Sequence, residues 1–217
     1  TITPDTNYNG DIAVSVSVTD GSLTDNQSFV LTVNPVNDAP VSESLSAATD
    51  EDTSIDITLS ASDIDGDALT YLLDQPSSDG SVSIVDNIAT FSPNSNFNGS
   101  TSFTYLVSDG GLSSVASTVS ITVNPVNDAP VLEAIADQQT DEDVEIDITL
   151  SSIDVDNDSL EYFAVVIGDA SYSIADNILT LIPDLDTSGD VEVTIAVSDG
   201  SLTDTQTFIL TVNPVND

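Results

Sequence analysis

The chain contains no lysine, arginine or histidine, and no cysteine, methionine or tryptophan. Each absence closes a class of function. Without cysteine there is no disulfide and no thiolate metal site. Without lysine there is no Lys–Asn isopeptide staple. Without His, Cys, Lys or Arg the usual nucleophile–base pairs and electrophilic clamps cannot be assembled. The positive charges that neutralise phosphates are missing, which excludes nucleic acid and anionic membrane surfaces as partners. No apolar run approaches the roughly 18 residues of a membrane span, so membrane insertion is not expected.

What is present is acid. The 217 residues include 38 Asp and Glu, for a formal charge of −38. No carboxylate has a basic side chain to pair with, so each is hydrated, held by backbone N–H groups, or bound to a cation from solution. Asp outnumbers Glu by 31 to 7, and Asp suits turns and short-armed oxygen ligation where Glu suits helices. An acidic coat of the halophile kind is the other reading. Hydrophobic residues make up 39% of the chain, enough for packed cores despite the charge. Of the ways to stiffen a small domain, a metal ion is the main one left.

The sequence repeats itself. NPVNDAP occurs at 34–40 and 124–130, and NPVND at 213–217. TDEDTSIDITLSASDIDGDALTY (49–71) matches TDEDVEIDITLSSIDVDNDSLEY (140–162), and VTDGSLTD (18–25), VSDGGLSS (107–114) and VSDGSLTD (197–204) follow at matching offsets. Two complete units are expected over 39–128 and 129–217, with residues 1–38 matching only the second half of a unit. Such a half-unit cannot enclose a core alone. Either it belongs to a longer array or a neighbouring copy supplies its missing strands.

Inside each unit the period is two. Ile55, Ile57 and Leu59 alternate with polar neighbours, as do Thr101, Phe103, Tyr105 and Val107, then Val119, Ile121 and Val123. Ile12, Val14, Val16 and Val18 do the same in the half-unit. This pattern predicts strands with one face buried. Asp86-Asn87 and Asp176-Asn177 predict tight hairpin turns. About seven strands in roughly 90 residues, with no helical period, predict an all-β chain of tandem Greek-key β-sandwiches. Tyr71, Phe91 and Phe103 are expected in the core.

The candidate chemistry lies in the acids. Asp63, Asp65 and Asp67, and likewise Asp154, Asp156 and Asp158, are spaced two residues apart, so a loop can turn three carboxylates onto one ion. Calcium takes six to eight oxygen ligands in flexible geometry, and Asp, Asn and backbone carbonyls supply them. Neither loop is an EF-hand, because Ala68 and Ser159 stand where its glycine is required. A merely solvated acidic turn is the alternative. The prolines of NPVNDAP stiffen the path between units.

ASDIDGDALTY, VSDGGLSSVASTVSITV and VNDAP, in that order, resemble the cadherin repeat and its bacterial immunoglobulin-like relatives in large RTX-type surface adhesins. The resemblance covers nearly the whole chain. It implies calcium at each inter-domain junction. At the first, the ligands would be Asn37, Asp38, Asp63, Asp65 and Asp109, with the early Glu upstream of Thr1. At the middle one they would be Glu51, Asn127, Asp128, Asp154, Asp156 and Asp199. Glu142 would serve a junction beyond residue 217. The mid-domain acidic motif of cadherins is absent; PNSNFNG occupies that region, with Asn94 and Asn96, or Asp184 and Asp186, in its place.

The function so implied is that of non-enzymatic stalk modules in a secreted or cell-surface adhesin, as in biofilms, rigidified by calcium and contacting neighbouring repeats. The alternative is an extracellular filament or matrix protein whose copies complete one another's half-repeat. A paired-carboxylate glycosidase would need acids found in one copy only, whereas these acids recur with the fold.

Overall fold

The computed structural model describes residues 1–216. It is all-β, with no helix among the described residues, and its chain divides into a unit from Thr1 to Pro125 and a second from Val126 on.

The first unit begins with a hairpin, β1 (Gly10–Thr19) and β2 (Thr24–Val33), paired antiparallel with Val14 opposite Phe29. A sandwich follows, built from β3 (Val41–Ser42), β4 (Leu45–Asp50), β5 (Ile55–Thr58), β6 (Ala61–Ser62), β7 (Thr70–Gln75), β8 (Gly80–Val85), β9 (Ile88–Pro93), β10 (Gly99–Ser108) and β11 (Ser117–Asn124). One sheet has the order β4-β11-β10-β7, with β4 parallel to β11; the other has the order β5-β9-β8. A two-residue ladder joins β3 to β6.

The second unit repeats this plan. Its strands are β12 (Val131–Leu132), β13 (Gln138–Asp141), β14 (Ile146–Thr149), β15 (Ser152–Ile153), β16 (Glu161–Ile167), β17 (Ala170–Ala175), β18 (Ile178–Pro183), β19 (Gly189–Ser198) and β20 (Thr203–Asn213). The sheets run β13-β20-β19-β16 and β14-β18-β17.

The alternating residues form the cores. Phe103, Tyr105 and Val107 of β10 and Val119, Ile121 and Val123 of β11 are buried against Phe91, Ala89, Ile57 and Leu59 of the facing sheet. The second core gathers Val191, Val193, Ile195 and Val197 with Phe208, Leu210, Leu179 and Leu181. Phe91 packs so closely that a Cβ at Gly80 would lie 2.5 Å from its ring and from the Ser92 carbonyl. Asp86 and Asp176 turn the β8–β9 and β17–β18 hairpins with φ of 53°, a left-handed conformation that Asp tolerates through its short polar side chain.

The hairpin departs from the expectation of a buried face. Val14, Val16, Val18 and Phe29 hold the registers that Val193, Ile195, Val197 and Phe208 hold in the second sandwich. Val16, Val18 and Phe29 are 55%, 68% and 51% exposed, whereas their counterparts are buried. A two-stranded sheet has nothing to lay over its apolar face, so the period-two pattern yields strands without burial.

Candidate metal centre

The recurring S-D-G motif sits in the turn between the last two strands of each repeat. Asp109 Oδ1 accepts the backbone N–H groups of Gly111 and Leu112, both at 2.6 Å. Asp199 Oδ1 accepts those of Ser201 and Leu202 at the same distance. Glycine at Gly110 and Gly200 takes the left-handed φ (95° and 98°) that the turn needs.

The other oxygen reaches the linker. Asn37 Nδ2 donates to Asp109 Oδ2 at 2.8 Å, and Asn127 Nδ2 donates to Asp199 Oδ2 at 2.8 Å. These donors hold both carboxyl groups below the ordinary carboxylate range. At Asp109 the Leu112 N–H is the largest cause, and at Asp199 the Asn127 side chain is.

The acidic loop closes the set. Asp63 Oδ1 accepts the N–H of Asp65 at 2.8 Å and of Asp67 at 3.3 Å; Asp65 Oδ2 accepts the N–H of Asp38 at 2.8 Å. Asp154 Oδ1 likewise accepts from Asp156 (2.9 Å) and Asp158 (3.3 Å), and Asp156 Oδ2 from Asp128 (2.8 Å). Gly66 and Asn157 occupy the same left-handed position at φ of 78° and 63°. Asp63, Asp65 and Asp67 bring one oxygen each within 4.8 Å of one another, and among the described residues this triad alone does so.

The fold therefore gathers Asn37, Asp38, Asp63, Asp65 and Asp109 at one end of the first sandwich. It gathers Asn127, Asp128, Asp154, Asp156 and Asp199 at the matching end of the second. In each set an oxygen of the first loop aspartate stands out. Asp63 Oδ2 and Asp154 Oδ2 are shut off from solvent with no hydrogen-bond partner. A buried carboxylate oxygen left unsatisfied is costly, and no cationic side chain exists in the chain to relieve it. A divalent cation fits that donor set: hard oxygens, several formal charges, no nitrogen or sulfur.

Glu51 lies at the opposite end of its sandwich, a ten-residue strand away from Asp109. It is 4% exposed. Its N–H donates to the Asn124 carbonyl at 2.9 Å, and Asn98 Nδ2 lies 3.4 Å from its Oε2. Glu142 is the counterpart in the second sandwich, where its Oε1 accepts the Val215 N–H at 2.6 Å. Beside each stands a turn capped by an Asp: Asp52 Oδ1 accepts from the Asn96 N–H, and Asp143 Oδ1 from the Asp186 N–H, both at 3.1 Å.

Sequence reasoning missed Asp5 and Asn7. With Asn9, Asn34, Asp38 and Asp65 they line a cleft of about 370 Å³ within the first unit. TPDTNYNG (3–10) matches SPNSNFNG (92–99), but the match does not say what these residues face.

The profile of the Bacterial Ig domain family matches residues 37–122 and again 127–211. The chain belongs to that family. Its two tandem bacterial Ig domains share the cadherin-like sandwich. Human protocadherin-24 EC1-2 is 18% identical at a TM-score of 0.55, over 83% of this chain and 100% of that one. Protocadherin gamma B2 EC1-5 is 16% identical at 0.53, over 95% and 45%. An endo-fucoidan hydrolase of glycoside hydrolase family 107, MfFcnA4, is 21% identical at 0.39, over 99% of this chain; the chain spans 35% of that protein's length. No curated protein matches. Among the described residues no helix is long and apolar enough to cross a membrane.

Proposed function

We propose that these bacterial Ig domains are extender modules of a secreted or cell-surface adhesin, stiffened by calcium at the ends of each repeat. The observation that carries this reading is the pair of buried, unpartnered oxygens, Asp63 Oδ2 and Asp154 Oδ2, each inside a ring of aspartates already fixed by backbone N–H groups. Such a ring is preorganised, so binding an ion orders little that is not already ordered.

The ligands fall into two roles. Asp63, Asp65, Asp154 and Asp156 supply carboxylate oxygens. Asp109 and Asp199 fix Asn37 and Asn127 through their amide nitrogens, which turns the asparagine side-chain oxygens toward ligation. Asp38 and Asp128 are positioned through their own N–H groups. Glu51, with Asn98 beside it, is the acid at the far end of its repeat. Asp5 and Asn7 play the corresponding part for the hairpin. These acids recur with the fold in both copies rather than pairing in one, and in this reading the module works by holding distance.

The test is a thermal melt in millimolar calcium and in excess EGTA, with small-angle scattering on the same samples. An ion that binds only the folded end stabilises it in proportion to ln(1 + c/Kd), where c is the calcium concentration; extracellular modules bind at about 10⁻⁴–10⁻³ M, so about 1 mM calcium contributes roughly 0.4–1.4 kcal/mol per site. A higher melting temperature and a longer maximum dimension in calcium are expected, both abolished by Asp63→Asn with Asp154→Asn. Superimposable melts in calcium and EGTA would sink the proposal and leave the acids as a solvation layer.

A further inference from the structure

Five Asp-Gly and two Asn-Gly dipeptides occur in this chain, and such pairs close most readily into a succinimide. In that reaction the backbone nitrogen after the residue attacks its side-chain carbonyl carbon. Glycine favours the attack because no Cβ crowds it. The N–H must be free of other bonds, and the carboxyl group must be free to turn. Among the described residues the fold meets both conditions at one pair.

The turns at Asp20, Asp109 and Asp199 are locked twice. Each Oδ1 accepts two backbone N–H groups, and Gly21, Gly110 and Gly200 donate their own N–H to Thr19 Oγ1, Ser108 Oγ and Ser198 Oγ. Asp79 Oδ2 accepts from Ser78 and Thr101, and Gly80 lies in β8 against Phe91. Asn9-Gly10 and Asn98-Gly99 place their glycines in the β1 and β10 ladders. Asp65-Gly66 differs. Residues 64–68 are exposed and lie outside any strand. The Gly66 N–H bonds to no described residue, whereas its neighbours Asp65 and Asp67 both donate to Asp63, and the space around Gly66 is open. The Asp38 N–H, at 2.8 Å, is the one group that holds the Asp65 carboxylate among the described residues. The matching turn of the second sandwich is Asp156-Asn157, whose Asn157 N–H donates to the Asp154 carbonyl at 3.4 Å and whose side chain crowds the attack.

We infer that Asp65-Gly66 is the site at which the folded protein isomerises to isoaspartate. Gly66 N bonds to Asp65 Cγ, and a carboxyl oxygen leaves as water with the amide proton and one proton from solvent. Water then opens the ring at the former main-chain carbonyl, breaking its bond to Gly66 N and returning the solvent proton. No atom is gained or lost overall. The chain then runs through Cβ and Cγ, and the free carboxylate sits on Cα, out of place for the Asp38 N–H. The chemistry is independent of ion binding. On the reading proposed above, it also removes a ligand from the metal end of the first sandwich and spares the second.

The test incubates the full chain in EGTA below its melting temperature, folded or in urea. Chymotryptic peptides are then assayed for isoaspartate by methyltransferase labelling. In the folded chain the Asp65 peptide should convert roughly tenfold faster than those of Asp20, Asp79, Asp109 and Asp199, since each ~1.4 kcal/mol needed to open a capped turn or strand slows the step tenfold. In urea the five rates should converge. Gly66→Asn, which copies the second sandwich, should bring Asp65 down to the rate of the rest. No isoaspartate at Asp65, or equal rates at the five folded sites, overturns the inference. So does a lead for Asp65 that persists unchanged in urea, or a Gly66→Asn chain that converts as fast as the parent.

Discussion

At the residue scale, Tyr105 shows how one polar atom is accommodated in an otherwise hydrocarbon core. Its ring is fully buried and stacks on Tyr71 at 6.3 Å. Its hydroxyl reaches the Glu43 and Ser60 carbonyls at 2.7 and 2.8 Å, tying β10 to segments 62 and 45 residues away. Burial pushes its pKa above the ordinary phenol range, so it remains a donor at neutral pH. The second sandwich has Ile195 at this register and instead bonds Tyr162 to Ser152. Tyr105→Phe keeps the ring and strips the donor from two carbonyls. A loss of about 1–3 kcal/mol is expected for the first sandwich, read as a lower urea midpoint for that transition with the second transition unmoved.

At the scale of the element, the aspartate-capped turn couples strand, loop and linker. Asp109 and Asp199 have lowered pKa values because backbone N–H groups and a linker asparagine stabilise the charged form. A group whose folded pKa is depressed contributes stability above its unfolded pKa, near 3.9, and loses it as pH falls through the lower folded value. Melting temperature should therefore be flat near neutrality and drop below about pH 4. Asn127→Ala should melt lower at neutral pH and show a shallower acid decline in its own sandwich, measured by circular dichroism. Most elements of this kind were legible in the sequence. The long strands announced themselves through period two, and the acidic loops through two-residue spacing. The β3–β6 and β12–β15 ladders did not, because two residues carry no period. The register shift of β7 against β10 between Thr104 and Tyr105 left no trace either, since TYLLDQ alternates poorly. The docking of Asn37 on Asp109 spans 72 residues, a distance no local pattern covers; the family resemblance named the two only as ligands of one junction. Asp5 and Asn7 carried no reading of their own, because what they face depends on the path of the following linker.

At the scale of the whole molecule, each sandwich owns a complete core and the hairpin owns none. No residue of β1 or β2 enters either core cluster. Removing residues 1–33, which keeps Asn37 and Asp38 on the first sandwich, should leave both melting transitions in EGTA where they are, while binding of an apolar dye such as ANS falls as Val16, Val18 and Phe29 disappear. A large loss of stability on this truncation would mean that the hairpin face is covered in solution. The other consequence lies in the parallel pairing of terminal strands. β4 enters each tandem module near where β11 begins, and the two run side by side from Leu45–Val119 to Asp50–Asn124; β13 and β20 do the same from Gln138–Leu210 to Asp141–Asn213. Tension applied through the two linkers pulls such strands past one another along their length. Every hydrogen bond of the ladder is then loaded together in shear, rather than unzipped one at a time. The six-pair ladder of the first sandwich shares the load over more bonds than the four-pair ladder of the second. A pulled chain would thus yield at β13–β20 first, and the topology that closes each core also sets the order in which the modules give way.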